Sequence, residues 1–352
     1  MDYRKKLEEL ILILIREDGS DLHLNSNRSP AIRVSGELIF LVKQPEFSKE
    51  DVLGVLGEIL DKKKIADFME TQECDFSYDY EGKARLRGNA FFEKGLVSFV
   101  LRLVPKVKSL EELSLPPILA DIARKRQGFF LVVGPVGQGK STTLSAMINL
   151  INEEQARNII TIEDPIEYMH TQKKSIISQR EVGIDTKDFH TALKSAFRED
   201  MNVIMVGEMR TPETIATAVT AAETGHLVLS TLHTNTASQT IDRVIDSFPG
   251  DQQDQIRTQL ASSLIGIFSQ RLIPRISGGQ ITAYELLLNN NAVANLIREK
   301  RTHEIDVVIE TGSEAGMVDM NHCLMGLVKK GEITIENAYQ YSLNPAGLER
   351  ML

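Results

Sequence analysis

The stretch Gly134-Pro135-Val136-Gly137-Gln138-Gly139-Lys140-Ser141 constrains this chain more than any other. It satisfies GxxxxGK[ST], follows the apolar run Phe129–Val133 and leads into a helical pattern from Ser141 to Asn152, which is the setting the motif requires. Glycines let the backbone curl until successive N–H groups point inward at a phosphate, and the helix N-terminus adds partial positive charge. The candidate nucleotide-contacting residues are Gly134, Pro135, Val136, Gly137, Gln138, Gly139, Lys140, Ser141 and Thr142. Lys140 is expected to reach the β- and γ-phosphates of ATP, and the Ser141 hydroxyl to ligate Mg²⁺.

Further apolar runs at Ile159–Ile162, Val203–Val206, Leu227–Leu229 and Ile281–Leu288 alternate with helical segments, which predicts a parallel sheet covered on both faces. Ligands of such sheets bind at the carboxyl ends of the strands, so the polar residues that follow each run are candidates. Glu163 ends one run and is placed to hold the metal, directly or through water. Glu208 follows another and is placed to orient the attacking water, with Gly207 beside it leaving room for the γ-phosphate. His226 and His233 bracket a third run; a histidine at a strand end is either satisfied structure or a hydrogen-bonding group of the site.

The first hundred residues read differently. Leu7, Leu10, Ile11, Leu14 and Ile15 recur at helical spacing. Then come a strand at Asp21–Leu24, a hairpin of Ala31–Val34 and Glu37–Leu41 about a Ser35-Gly36 turn, helices near 50–60 and 62–70, and strands separated by Glu81-Gly82-Lys83 and Glu93-Lys94-Gly95. These define an antiparallel α+β domain over 1–105. Residues 106–117, with prolines and charges but no period, read as a linker to a second domain over 118–352, whose last sixty or so residues are mostly helical. Arg85 and Arg87 alternate with apolar neighbours, so both leave one strand face, and Arg102 lies on the next strand. That face is either solvated or built to meet an anion.

Composition narrows the function classes. Hydrophobic residues at 42% and charged residues at 25% exclude a disordered chain. A net charge of -9 argues against nucleic acid as a partner. The two cysteines, Cys74 and Cys323, cannot build a tetra-cysteine zinc site and fit reduced thiols. The run Leu10–Ile15 is far short of the ~20 residues that cross a bilayer, and no cleavage site follows it.

Together the motifs resemble the secretion-ATPase superfamily that powers type II secretion and type IV pili, most closely its retraction branch, over nearly the whole chain. Ser20-Asp21-Leu22-His23-Leu24 and Arg33-Val34-Ser35-Gly36 resemble the opening of the PAS-like N-terminal domain of that family. Glu163-Asp164-Pro165-Ile166-Glu167 resembles its Asp box, Gly207-Glu208-Met209-Arg210 its Walker B, and Thr224-Gly225-His226-Leu227 through His233-Thr234-Asn235 its His box. Gly316-Met317 and residues 327–334 resemble the C-terminal helices of the retraction branch. The short N-terminal region and the lack of a tetra-cysteine module set the chain apart from the extension and type II secretion branches. Departures are Gln138 in the phosphate loop, Met201-Asn202 for Pro-Asp, Thr211 for Asp, and Ala294 for an arginine.

The resemblance implies a PAS-like domain followed by a RecA-like P-loop ATPase domain with a helical C-terminal region. It implies ATP bound between the domains, reached by Arg87 and Arg102, and a homo-hexameric ring that hydrolyses MgATP to power pilus retraction. The ring is expected in the cytoplasm, held peripherally at the inner membrane by a platform protein and not binding nucleic acid. The alternatives are an accessory pilus or competence ATPase and a nucleic-acid translocase.

Overall fold

The computed structural model describes residues 2–34 and 36–351; Ser35 of the expected Ser35-Gly36 turn lies outside the described residues. The chain divides into two compact units, 1–106 and 107–352.

In the first unit, α1 (Tyr3–Arg16) precedes β1 (Gly19–Asn25), β2 (Ala31–Val34) and β3 (Glu37–Phe40). Helices α2 (Lys49–Gly57) and α3 (Lys62–Thr71) then lead into β4 (Glu73–Tyr80), β5 (Ala84–Glu93) and β6 (Leu96–Leu103). The strands form one antiparallel sheet in the order β3-β2-β1-β6-β5-β4. One sheet face carries Leu22, Leu24, Leu86, Phe99 and Leu101, which are buried with Leu7, Leu10, Ile11 and Leu14 of α1 and Val52, Val55 and Leu56 of α2. Ile15, expected on the buried side of α1, lies in its last turn and is exposed.

Alternation along the strands sends the polar residues to the other face. There the register aligns Arg33, Asp21, Arg102, Arg87 and Ser77 as one row across β2, β1, β6, β5 and β4. Adjacent guanidinium groups repel unless a carboxylate intervenes. Asp21, only 3% exposed, stands between Arg33 and Arg102 and accepts from Arg102 Nε at 2.7 Å and from Ser20 Oγ at 2.7 Å. Burial pushes the Asp21 carboxyl up, but Ser20 and Arg102 outweigh it and hold it below its ordinary value.

The second unit opens with α4 (Ile118–Ala123), β7 (Gly128–Val133), α5 (Lys140–Glu154), β8 (Asn158–Glu163) and β9 (Ile176–Glu181). Next come α6 (Phe189–Ala196), β10 (Val203–Val206), α7 (Pro212–Glu223), β11 (Leu227–Leu232), α8 (Ala237–Asp246) and α9 (Gln253–Ser263). Strands β12 (Leu264–Pro274) and β13 (Gln280–Leu288) precede α10 (Asn291–Arg298), α11 (Ile305–Thr311), α12 (Met320–Lys329), α13 (Ile335–Tyr341) and α14 (Pro345–Glu349). Within the stretch read as a linker, Leu110 and Leu115 are buried in the core of this unit.

Its sheet runs β13-β12-β7-β11-β10-β8-β9. Phe129, Leu131 and Val133 of β7 pack into one apolar layer while Phe130 and Val132 pack into the layer on the opposite face, as a doubly covered sheet requires. Two expectations are corrected. The apolar run Ile281–Leu288 predicts a further parallel strand, but β13 pairs antiparallel with β12, so the sheet is mixed at that edge. Strands β9 and β12 are additions to the expected set, because Ser178-Gln179-Arg180 and Ser269-Gln270-Arg271 interrupt their apolar runs. Among the described residues no helix is long and apolar enough to cross a membrane.

A Cβ on Gly88 of β5 would come within 2.1 Å of the ring of Phe76, its cross-strand partner. Gly88→Ala should therefore destabilise the first unit by about 1–3 kcal/mol through overpacking. Gly57→Ala, with nothing within 4 Å, is the control and should leave the thermal unfolding midpoint close to that of the parent.

Candidate active site

The carboxyl ends of β7, β8, β10 and β11 converge on a cleft of about 450 Å³ lined by the phosphate loop, Glu163, Asp164, Glu167, Glu208 and His233. Parallel strands place their terminal residues at one edge, and that is why segments remote in sequence meet here. Val136 through Thr142 all line the cleft, while Gly134 and Pro135 lie behind it and present their carbonyls to Lys140.

Three glycines have backbone conformations that a side chain would strain: Gly134 (φ +147°), Gly137 (φ +77°) and Gly139 (φ +76°). At Gly134 a Cβ would also stand 2.5 Å from the Gln270 carbonyl oxygen. Gly139 is the N-cap of α5 and offers no side chain to the first helical N–H groups. Those donors, with Lys140 above them, fit a bound phosphate.

Lys140 is 7% exposed. Its ammonium donates to Gly134 O at 2.9 Å, Pro135 O at 2.9 Å and His233 Nδ1 at 3.3 Å. Burial pulls its pKa below the ordinary lysine value, opposed by Glu167 and Glu208 and reinforced by Arg271. Since an ammonium can only donate, His233 Nδ1 is the acceptor, which puts the imidazole proton on Nε2. Nε2 faces Glu208 Oε2 at 3.6 Å, and the other side of Glu208 pairs with Arg210. Lys140, His233 and Glu208 thus form one chain across the cleft. Burial, then Lys140, lowers the His233 pKa, with Glu208 opposing.

Glu163 is 7% exposed and already well provided with donors. Its Oε1 accepts from Thr161 Oγ1 at 2.6 Å and Gln179 Nε2 at 3.2 Å. Burial raises its pKa against those bonds. This arrangement favours contact with a metal through water over direct ligation. Among the described residues no set of three or more His, Cys, Asp and Glu could by itself hold a metal ion. Gly207 lines the cleft, but its tightest neighbour is backbone: a Cβ would stand 3.2 Å from Ile162 O. Its small size serves the approach to β8 rather than the space for a phosphate.

His226 is not at this site. It precedes β11 whereas His233 follows it, so the six residues of the strand separate the two rings by about 20 Å. Its Nδ1 lies 2.9 Å from Ala221 O and its ring meets Phe197 edge-on, which are structural contacts. Arg87 and Arg102 stand on the polar sheet face of the first unit.

Sequence reasoning missed the residues that hold the site together. Gln179 bonds Glu163, Tyr168 O and His170 N, and the Tyr168 hydroxyl lies 2.8 Å from Thr142 Oγ1. Gln270 accepts from Thr143 Oγ1 at 2.8 Å and donates to Gln138 O. Gln138, a departure from the family pattern, accepts from Leu272 N at 2.7 Å through its side chain. The sequence carries no signal for them, because Gln179 and Gln270 lie on strands that their own polar residues hide.

The sequence model of the family described as "Type II/IV secretion system protein" matches residues 98–303. The type IV pilus retraction ATPase PilT of Pseudomonas aeruginosa is 43% identical over 340 residues, covering 96% of this chain and 98% of that protein. The type IV pilus ATPase PilU of the same organism is 40% identical over 352 residues, covering 99% and 91%. A crystal structure of the pilus retraction motor PilT with bound ADP superposes with a TM-score of 0.91 at 44% identity, covering 97% of this chain and 98% of that one.

The neutral form of His233 is the one that accepts from Lys140. Protonation would remove that acceptor, so the contribution of His233 to turnover should be present at neutral pH and lost as pH falls through a value below the ordinary ~6.5. The ratio of parent to His233→Ala kcat, measured at saturating MgATP, should rise with pH through that value and then level off. A ratio independent of pH between 5 and 8 would contradict the assigned tautomer.

Proposed function

Since this chain belongs to the type II/IV secretion system protein family, we propose that it is an MgATP-hydrolysing ring motor that powers type IV pilus retraction. The observation that carries the chemistry is the chain Lys140–His233–Glu208 laid across a phosphate loop. On this reading Lys140 exchanges the carbonyls of Gly134 and Pro135 for phosphate oxygens. Glu208 orients the attacking water, and neutral His233 holds the two charged groups in register. Magnesium, carried by Ser141 and through water by Glu163, would neutralise charge on the phosphates.

Arg87 and Arg102 are the candidates for arginine contacts with the transferred phosphate in the assembled motor. Asp21 supports that role by ordering Arg102 without covering it, since the Arg102 side chain is 68% exposed. A homo-hexamer, docked on a platform protein at the cytoplasmic face of the inner membrane, is the assembly we propose. The similar identity to PilU keeps an accessory pilus motor as the second reading.

Glu208→Gln should keep nucleotide affinity and lose turnover by orders of magnitude, whereas Lys140→Ala should lose both. Arg87→Ala or Arg102→Ala should lower kcat by ~10³-fold or more, since each removes a guanidinium from the charge that builds on the transferred phosphate. Phosphate release and nucleotide binding measured side by side check both. In cells, a chromosomal Lys140→Ala should abolish pilus retraction; normal retraction frequency would assign the chain to the accessory role. Turnover stimulated by DNA would point to a translocase instead.

A further inference from the structure

Strand β12 lies beside β7, with Ser269 paired to Val133 at the entrance to the phosphate loop. Successive side chains on a strand point to opposite faces, so Gln270 leaves one face while Ser269 and Arg271 leave the other. Gln270 and the Leu272 N–H hold the phosphate loop through Thr143 and Gln138. The opposite face makes a second set of bonds. Ser269 Oγ donates to Asn235 O at 2.7 Å, and Arg271 Nη2 donates to Asn235 Oδ1 at 2.9 Å and Asn235 O at 3.2 Å. Arg271 Nη1 donates to Gln270 O at 2.8 Å. Asn235 lies two residues beyond His233, and two residues further the Ala237 N–H donates to Glu285 at 2.8 Å. Glu285 is the β13 partner of Ser269, so one strand pair holds the whole segment.

Arg271 is 6% exposed. Burying a guanidinium is costly unless its donors are met, and an apolar side chain would fill the same space at less expense. Both of its terminal nitrogens are engaged by protein oxygens, Nη1 by Gln270 and Nη2 by Asn235. We propose that Arg271 is a positioning residue for ATP hydrolysis: it clamps the chain at Asn235 and thereby holds His233 between Lys140 and Glu208. The proposal rests on the reading of His233 as part of the active site. Lysine in its place keeps the charge but lacks the planar fork that spans Gln270 O and both oxygens of Asn235.

The test is a double-mutant cycle in the full chain, with kcat and ADP affinity measured for Arg271→Lys, Asn235→Ala, His233→Ala and the two doubles that contain His233→Ala. Asn235 is exposed, so its substitution removes the clamp with little risk to folding. Misplacing a catalytic neighbour lowers turnover without changing ground-state binding. Arg271→Lys and Asn235→Ala should each lower kcat about tenfold or more and leave ADP affinity within about twofold. In the His233→Ala background neither should lower kcat further, because the group they position is gone. Losses that multiply with that of His233→Ala would overturn the clamp while leaving His233 in the site. Parent-like turnover of His233→Ala would overturn the role of His233 and the clamp with it.

Discussion

The site depends on keeping one ammonium out of water. Lys140 has three N–H donors, and at 7% exposure each needs a protein acceptor when no phosphate is present. Gly134 O and Pro135 O provide two and His233 Nδ1 the third. These acceptors converge only because the loop curls back on itself, which the positive φ of Gly134, Gly137 and Gly139 permits. A bound phosphate can replace the carbonyls at little cost, since one set of buried hydrogen bonds is exchanged for a stronger, charge-assisted set.

The parts of this arrangement that are local in the chain were legible in the sequence. A strand, a glycine loop and a helix announce the phosphate site, and Glu163, Glu208 and His233 each follow an apolar run directly. His226 was misleading for a related reason. It entered as one of two histidines flanking β11, but only the residue after a parallel strand arrives at the binding edge, and His226 precedes the strand. The supports were not legible, because Gln270 finds Gln138 and Thr143, and Arg271 finds Asn235, across long stretches of sequence. Nothing in a one-dimensional pattern says which buried polar residue satisfies which.

The first unit shows the same division. Alternation along β5 put Arg85 and Arg87 on one face, and that much was readable. The row from Arg33 to Ser77 needed the strand order β2-β1-β6-β5-β4, in which β1 lies next to β6 rather than only beside its sequence neighbour. That adjacency brings Asp21 against Arg102 and turns the Ser20-Asp21 pair from a family signature into a physical device. A buried carboxylate fixes one guanidinium and offsets the repulsion of its neighbours.

Strand β12 joins the phosphate loop, the segment after His233 and the C-terminal helices. Its interior residues Ser269 to Leu272 hold the phosphate loop on one side and the segment after His233 on the other. One residue later, Ile273 enters the apolar cluster formed with Ile281 and Ala283 of β13 and with Met320, Leu324 and Leu327 of α12. A strand in a packed sheet behaves as a stiff rod, because sliding it by one residue would reverse every side chain it presents. The phosphate loop and α12 are therefore positioned by the same strand. The antiparallel edge that the sequence did not disclose is what makes this possible, since β13 returns alongside β12 and carries Glu285 to the segment that follows His233.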